Sequence, residues 1–233
     1  MSSRATEITR RAFFQLGLGL GLGALVRRRP AAAATGRGPL YLQPLGGELA
    51  TEDIDLVRRA LTAIVGVETR VLRGAALPAA AFYPARRRYR ADRLLDFLDG
   101  RLPAGGARIL GLTGVDISTA KGPYADWGVL GLGRIGGASS VISEFRCRMK
   151  SRGPGQARER LAKVAVHETG HTLGLEHCPT HGCLMEDADG KVATCDLEYD
   201  FCDRCRQLAA AAGWPLPPSP KIPWNRPADS PGG

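Results

Sequence analysis

"HETGHTLGLEHC", residues 167–178, puts three histidines, a glutamate and a cysteine into twelve positions. It continues the run "ARERLAKVAV", with charges early and apolar residues later, so a helix is predicted from near Gln156 into the quoted stretch, its second half buried. On such a helix His167 and His171, four residues apart, project from one face and can share one metal ion. Glu168 sits about a third of a turn from His167, near enough to reach a water on that metal without ligating it. Gly174 ends the helix, because glycine accepts the left-handed conformation of a sharp reversal. The reversed chain then delivers His177 as a third nitrogen.

Three neutral imidazoles leave a tetrahedral zinc one position for water, the arrangement of a catalytic rather than a structural site. Zinc lowers the pKa of such a water from 15.7 toward about 7, and Glu168 is expected to take its proton during attack on a polarised amide carbonyl, then to return it as an acid. The expected reaction is peptide-bond hydrolysis. A bare HExxH can arise by chance in a helix; the glycine and third histidine in register make this one discriminating. The rival from another class is a non-catalytic zinc module that binds protein or nucleic acid. Its mark is a fourth protein ligand, His181 or Asp187, in place of water.

After His177 come Cys178, Cys183 and Met185, then Cys202 and Cys205 in "FCDRC". This series resembles the extended signature of the archaemetzincins, a family of metzincin zinc metallopeptidases, whose histidine motif runs into C-x4-C-x-M and a later C-x2-C. "RYRADRLLDFL", "ILGLTGVDIS" and "VLGLGRIGGASSVIS" are also similar to that family's domain, and the resemblance spans roughly residues 38–212. It implies an α/β (α+β) metzincin-like domain: a twisted, mostly parallel sheet carrying an antiparallel edge strand, a long active-site helix and a zinc-stapled C-terminal part. It implies a catalytic zinc on His167, His171 and His177, Glu168 as base, and Met185 in the turn beneath the metal. A generic core methionine is the plainer reading of Met185. The resemblance further implies that an extended peptide lies along the sheet edge formed by the strand within 127–134, whose glycines suit backbone pairing and equally suit tight packing. Residue 186 is glutamate where some metzincins use a tyrosine to assist the transition state; Tyr89 and Tyr199 are the candidate phenols for that work.

The cysteines carry a reading of their own. Cys178 with Cys183, and Cys202 with Cys205, can supply four thiolates to a structural zinc at Zn–S distances of about 2.3 Å. The expected complement is two Zn2+ per chain. Because Cys178 follows His177 directly, fixing the thiolate site also fixes the third ligand of the other metal. Nearby Arg204 and Arg206 either offset the thiolate charge or are simply solvated. In an exported chain the competing arrangement is two disulfides, Cys178–Cys183 and Cys202–Cys205. Cys147 and Cys195 are left over.

Elsewhere the pattern is mixed. "GPLYLQPLG" (38–46) reads as a strand, Thr51 with Glu52, Asp53 and Asp55 opens a helix to about Val65, and "VETRVLRG" (67–74) is a second strand. Leu94, Leu95 and Leu98 have helical spacing, ended by Gly100 and Pro103. "ARILGLTGVDIS", "WGVLGLGRIGG" and "SSVISEFRCR" read as three adjacent strands between glycine-rich turns. "GLGRIGG" is no dinucleotide fingerprint, since no crossover helix follows it. A short helix in "DFCDRCRQLAAAAG" closes the domain, and the proline-dense residues 213–233 form an extended tail.

The formal charge of +9 is unevenly placed: Arg4, Arg10, Arg11, Arg27, Arg28 and Arg29 against Glu7 leave +5 in residues 1–34 and +4 in the rest. That removes the case for a nucleic-acid partner, and "RRRYR" reads as a solvated face. Residues 1–34 resemble a twin-arginine export signal, with the pair Arg10–Arg11, then Phe13 and Phe14, and Ala31 to Ala34 as small residues for cleavage. Its apolar run is shorter than the about 20 residues of a membrane span, so membrane contact is expected only in transit. The expectation is a monomeric, exported protein, periplasmic or secreted, acting on peptides or proteins; the alternative is a cytoplasmic peptidase with an irrelevant tail. The twin-arginine route carries folded proteins, so zinc can be loaded in the reducing cytoplasm.

Overall fold

Alternation along the strands decides which helix each residue meets. In the computed structural model, which describes residues 38–218 other than Glu48, the main sheet is built from β1 (Leu40–Leu45), β2 (Thr69–Val71), β5 (Arg108–Thr113), β8 (Gly131–Gly133) and β9 (Ser139–Ser143), in the order β2-β1-β5-β9-β8. The first four are parallel, and β8 runs antiparallel to β9 at the edge. Leu40, Leu42, Leu110, Leu112 and Ile142 face one side, where α1 (Thr51–Val65) and α4 (Pro154–Thr172) pack. Tyr41, Leu45, Ile109 and Val141 face the other, against α2 (Ala91–Asp99) through Leu94, Leu95 and Leu98. Side chains that alternate at period two, with both faces apolar, need a helix on each side.

A second sheet has the order β3-β4-β6-β7, from β3 (Phe82–Tyr83), β4 (Arg88–Arg90), β6 (Ile117–Lys121) and β7 (Tyr124–Val129). Here the structure corrects the expectation of three adjacent strands. "ARILGLTGVDIS" divides between β5 and β6, and "WGVLGLGRIGG" between β7 and β8, each break sending the chain from one sheet to the other. "SSVISEFRCR" is β9 followed by the short helix α3 (Glu144–Arg148). α5 (Asp203–Ala211) follows a 3-10 turn at Val192–Asp196.

The first half of α4 is not solvated either. Arg160 and Lys163 are buried, with Arg160 gripping Asp196 through two bonds of 2.7 and 2.6 Å and Lys163 Nζ 2.6 Å from Glu159. Arg158 meets Asp53 of α1 at 2.5 Å. Paired charges of this kind are tolerated inside because each has its countercharge close by. They lock α4 between α1 and the 192–196 turn.

Past α5 the chain stays on the body. Trp214 and Leu216 pack on the main core, and the Arg108 guanidinium lies 4.8 Å from the Trp214 ring centroid. The start of the proline-rich tail thus belongs to the packed unit. The segment 1–34, with its expected export signal, and residues 219–233 lie outside the described residues. Among the described residues no helix is long and apolar enough to cross a membrane.

Candidate metal centre and cleft

α4 ends as the sequence predicts. Gly174 takes φ 94°, its N–H donates to the His171 carbonyl at 2.9 Å, and the Leu175 N–H donates to the Gly170 carbonyl at 3.1 Å. This bond pair with a left-handed glycine just past the helix is a Schellman closure. It reverses the chain and brings His177 back to the helix, so that the His167, His171 and His177 rings lie with centroids 4.8, 4.9 and 5.3 Å apart. One nitrogen from each falls within 4.8 Å of the others.

The protonation pattern follows from what the other nitrogens meet. His167 Nδ1 lies 2.7 Å from the Leu184 carbonyl and His171 Nδ1 2.7 Å from the Leu175 carbonyl. A carbonyl only accepts, so each Nδ1 carries the proton and each Nε2 presents a lone pair. The two Nε2 atoms are 3.1 Å apart. Two lone pairs so placed repel unless a cation stands between them, and nitrogens about 2.0 Å from a tetrahedral zinc are separated by about 3.3 Å. Burial pushes the His167 imidazole down to about 3, with His171 next to it adding to the effect, and burial also lowers His171. Neutral imidazole is the ligating form. His177 Nδ1 faces Asp187 Oδ2 at 3.4 Å, a carboxylate–histidine contact of the type that orients metal ligands.

Neither proposed fourth ligand joins the group. His181 is turned to Glu186 Oε1 at 3.0 Å, and Asp187 stands at the Nδ1 side of His177. Among the described residues the cluster holds three histidines and no further side chain.

Glu168 is buried, and burial pushes its carboxyl up to about 8, opposed by the Gly133 N–H that donates to it. β8 crosses directly over it. A β-carbon on Gly133 would meet the Glu168 carbonyl at 2.4 Å, so glycine is required for the approach. The glycines of β8 therefore serve close contact with α4, while β8 is the edge strand of the sheet among the described residues.

Met185 is fully buried under the same turn of α4, where a β-carbon on Gly170 would stand 2.5 Å from its sulfur. Its carbonyl accepts the Cys178 N–H at 2.7 Å, while the carbonyl before it orients His167. One turn thus serves both clusters.

The four sulfurs of Cys178, Cys183, Cys202 and Cys205 lie within 4.8 Å of one another. The near contacts run crosswise, Cys178 to Cys202 at 3.6 Å and Cys183 to Cys205 at 3.7 Å. A tetrahedron with sulfurs about 2.3 Å from its centre has edges of about 3.8 Å, whereas a disulfide is about 2.05 Å long. The sulfurs also collect backbone donors: Thr180 N–H at Cys178, and Met185 and Cys202 N–H at Cys183, at 3.4–3.5 Å. Hydrogen bonding with Cys205, helped by these amides, draws the Cys183 thiol down to about 5. This donor set fits zinc and does not fit the two sequential disulfides.

The structure also places the residues that the sequence left open. Tyr89 is in β4 against Phe82, and the Tyr199 hydroxyl donates to the Asp196 carbonyl; neither lines the cleft. Arg206 is engaged by Asp200 at 2.6 Å and by the Phe201 and Pro217 carbonyls, so it braces the loop, and Arg204 is exposed. Cys147 and Cys195 are separate buried thiols; burial raises Cys195 and pushes Cys147 up to about 12.

The three histidines and Glu168 open on a cavity of about 930 Å³, walled by the 127–133 segment and by 187–193, with α4 as its floor. Glu198, buried within it, was not singled out from the sequence. No motif spacing marks it.

The chain is similar to known proteins in sequence and in fold. The model of peptidase family M54 matches residues 62–210. The archaemetzincin of Haloarcula marismortui is 35% identical over 138 residues, 56% of this chain and 76% of that one. The Archaeoglobus fulgidus archaemetzincin is 31% identical over 166 residues, 71% of this chain and 95% of its own. The crystal structure of Methanopyrus kandleri archaemetzincin superposes with a TM-score of 0.65 at 31% identity, covering 81% of this chain and 98% of the other. That of the Archaeoglobus fulgidus protein complexed with malonate gives 0.61 at 32% identity, covering 73% and 99%. With the fold and the two ligand clusters in place, the chain belongs to peptidase family M54, the archaemetzincin family of zinc metallopeptidases.

Proposed function

We propose that the chain hydrolyses peptide bonds with His167, His171 and His177 as ligands of one zinc, Glu168 as general base and then acid, and Cys178, Cys183, Cys202 and Cys205 as ligands of a second, structural zinc. The carrying observation is the convergence of three imidazole nitrogens with no fourth protein ligand among the described residues. When bound there, zinc supplies Lewis acidity to a substrate carbonyl and lowers the pKa of water. The chain's own part is proton handling. Glu168 accepts the proton of the attacking water and delivers it to the departing amine nitrogen, and the Gly133 N–H fixes its carboxylate for both. Its dry setting keeps the carboxylate basic, as base catalysis near neutrality needs.

Substrate is held in the cleft against the edge strand β8, where an extended peptide adds a short strand. Export by the twin-arginine route remains part of the proposal, resting on Arg10, Arg11 and the residues after them. N-terminal sequencing of the secreted fraction tests it.

The test of mechanism is Glu168→Gln. The variant should bind the parent's two zinc ions per chain and lose about 10²–10⁴-fold in kcat on a peptide library. Equal turnover by variant and parent, or a folded parent holding no exchangeable zinc, ends the proposal.

A further inference from the structure

One wall of the cavity is not accounted for by the chemistry of hydrolysis. Val164, one helical turn before His167, shares the cavity with Met149, Val192, Cys195 and Glu198. Glu198 is 2% exposed, and the little surface it keeps is at its carboxyl group, on the cavity. No hydrogen bond reaches that carboxylate among the described residues. Lys163, whose charge acts on it through space, is held by Glu159 at 2.6 Å and lies over the Tyr199 ring at 4.4 Å. The cations around the cavity are engaged elsewhere or stand at its rim: Arg146 with Asp116 at 2.6 Å, Lys121 with Asp189 at 3.5 Å, Lys150 and Lys191 exposed. Burial accordingly pushes the Glu198 carboxyl up to about 8.

A buried carboxyl without donors keeps its proton when alone and gives it up when a cation with hydrogens to donate comes beside it. We propose that Glu198 makes this wall a specificity pocket for a positively charged substrate side chain, arginine above all, close to the scissile bond. The inference rests on the peptidase reading for its context. The stem of an arginine matches the apolar wall of Val164, Met149 and Val192, and its planar guanidinium matches a carboxylate two bonds at a time. An uncharged side chain of the same length leaves the carboxyl unpaired, and a site built for a polar partner discriminates strongly against its absence.

The test uses the zinc-loaded full chain and quenched peptides in which each position within two of the scissile bond is varied among arginine, citrulline, leucine and aspartate. Citrulline keeps the shape of arginine and removes the charge. At one position arginine should exceed citrulline by at least about tenfold in kcat/KM, mostly through KM. Glu198→Gln should bring the arginine peptide down to the citrulline level and leave the citrulline peptide within about twofold, with zinc content unchanged. Equal cleavage of arginine and citrulline peptides by the parent at every position overturns the proposal, as does an arginine preference that survives Glu198→Gln. Calorimetric binding of acetyl-arginine amide against acetyl-citrulline amide reads the pocket without turnover. Arginine-selective binding lost in Glu198→Gln supports the pocket even for a chain that cuts nothing, in which case the peptidase reading falls alone. Equal or undetectable binding of the two amides by a chain that cuts nothing overturns the pocket.

Discussion

Gly131 of β8 touches Glu168 of α4 so closely that a β-carbon there would stand 2.5 Å from Glu168 Cγ and 2.7 Å from Oε1. The atoms in the way belong to the side chain proposed as the general base. Gly131→Ala should therefore displace the carboxylate before it disturbs the fold. The expected outcome is at least about a tenfold loss of kcat, with unfolding free energy lowered by about 1 kcal/mol. Steady-state kinetics beside urea denaturation checks it, and unchanged kcat refutes the contact.

Gly133→Ala makes the contrasting case. Its β-carbon would meet the Glu168 backbone carbonyl at 2.4 Å and His171 Cβ at 3.0 Å. A helix backbone cannot turn aside as a side chain does, so β8 must lift from α4, at a cost of about 1–3 kcal/mol or more. The urea midpoint should fall further than for Gly131→Ala.

Asp187→Ala removes the carboxylate 3.4 Å from His177 Nδ1. Loss of such an orienting partner weakens metal binding by about 10–100-fold. Competition with a chelator of known affinity should show the drop for one zinc only, with the thiolate-bound ion unaffected.

Cys205→Ser should lose one zinc per chain, counted by elemental analysis, and reduce activity although Cys205 touches no histidine. The path is short: Cys178 is bonded to His177, and its N–H is held by Met185, beneath the histidines. A variant with one zinc and full activity would separate the two clusters.

Glu198 also predicts a pH dependence of stability. Its folded carboxyl is raised to about 8 from the usual 4.5, so between those values the folded chain keeps a proton that the unfolded chain has released. Stability then falls as pH rises through this window. Glu198→Gln removes the penalty: its melting temperature should match the parent near pH 4 and exceed it above pH 8, by an amount worth on the order of a few kcal/mol. A gap that does not widen with pH rules this out.

The histidine motif was legible because its information is local. Four-residue spacing, a glycine and a reversal lie within His167–Cys178, and period and cap chemistry act over that range. The same holds for α1 and for the parallel strands β1 and β5, whose apolar runs announce burial on two faces. What failed was long-range. The break between β5 and β6 depends on pairing with β4, in a different sheet, and Gly114 and its neighbours do not say which partner waits. Gly131 reads as a generic weak point in a strand until Glu168, far along the chain, is placed beneath it. Glu198 sits in a turn-rich stretch without period, so its burial is set wholly by α4 and the 192–196 turn. Tyr89 and Tyr199 were nominated by chemistry alone, and packing put both elsewhere.

Because the third imidazole hangs from a peptide whose neighbour is Cys178, the proposed chemistry is open to silencing by a two-electron oxidant that never enters the cleft. Joining Cys178 to Cys202, already 3.6 Å apart, would draw their sulfurs together and drag the end of the adjoining loop with them. Under the proposed function, corrosion of the staple and starvation for metal would then end in the same idle state.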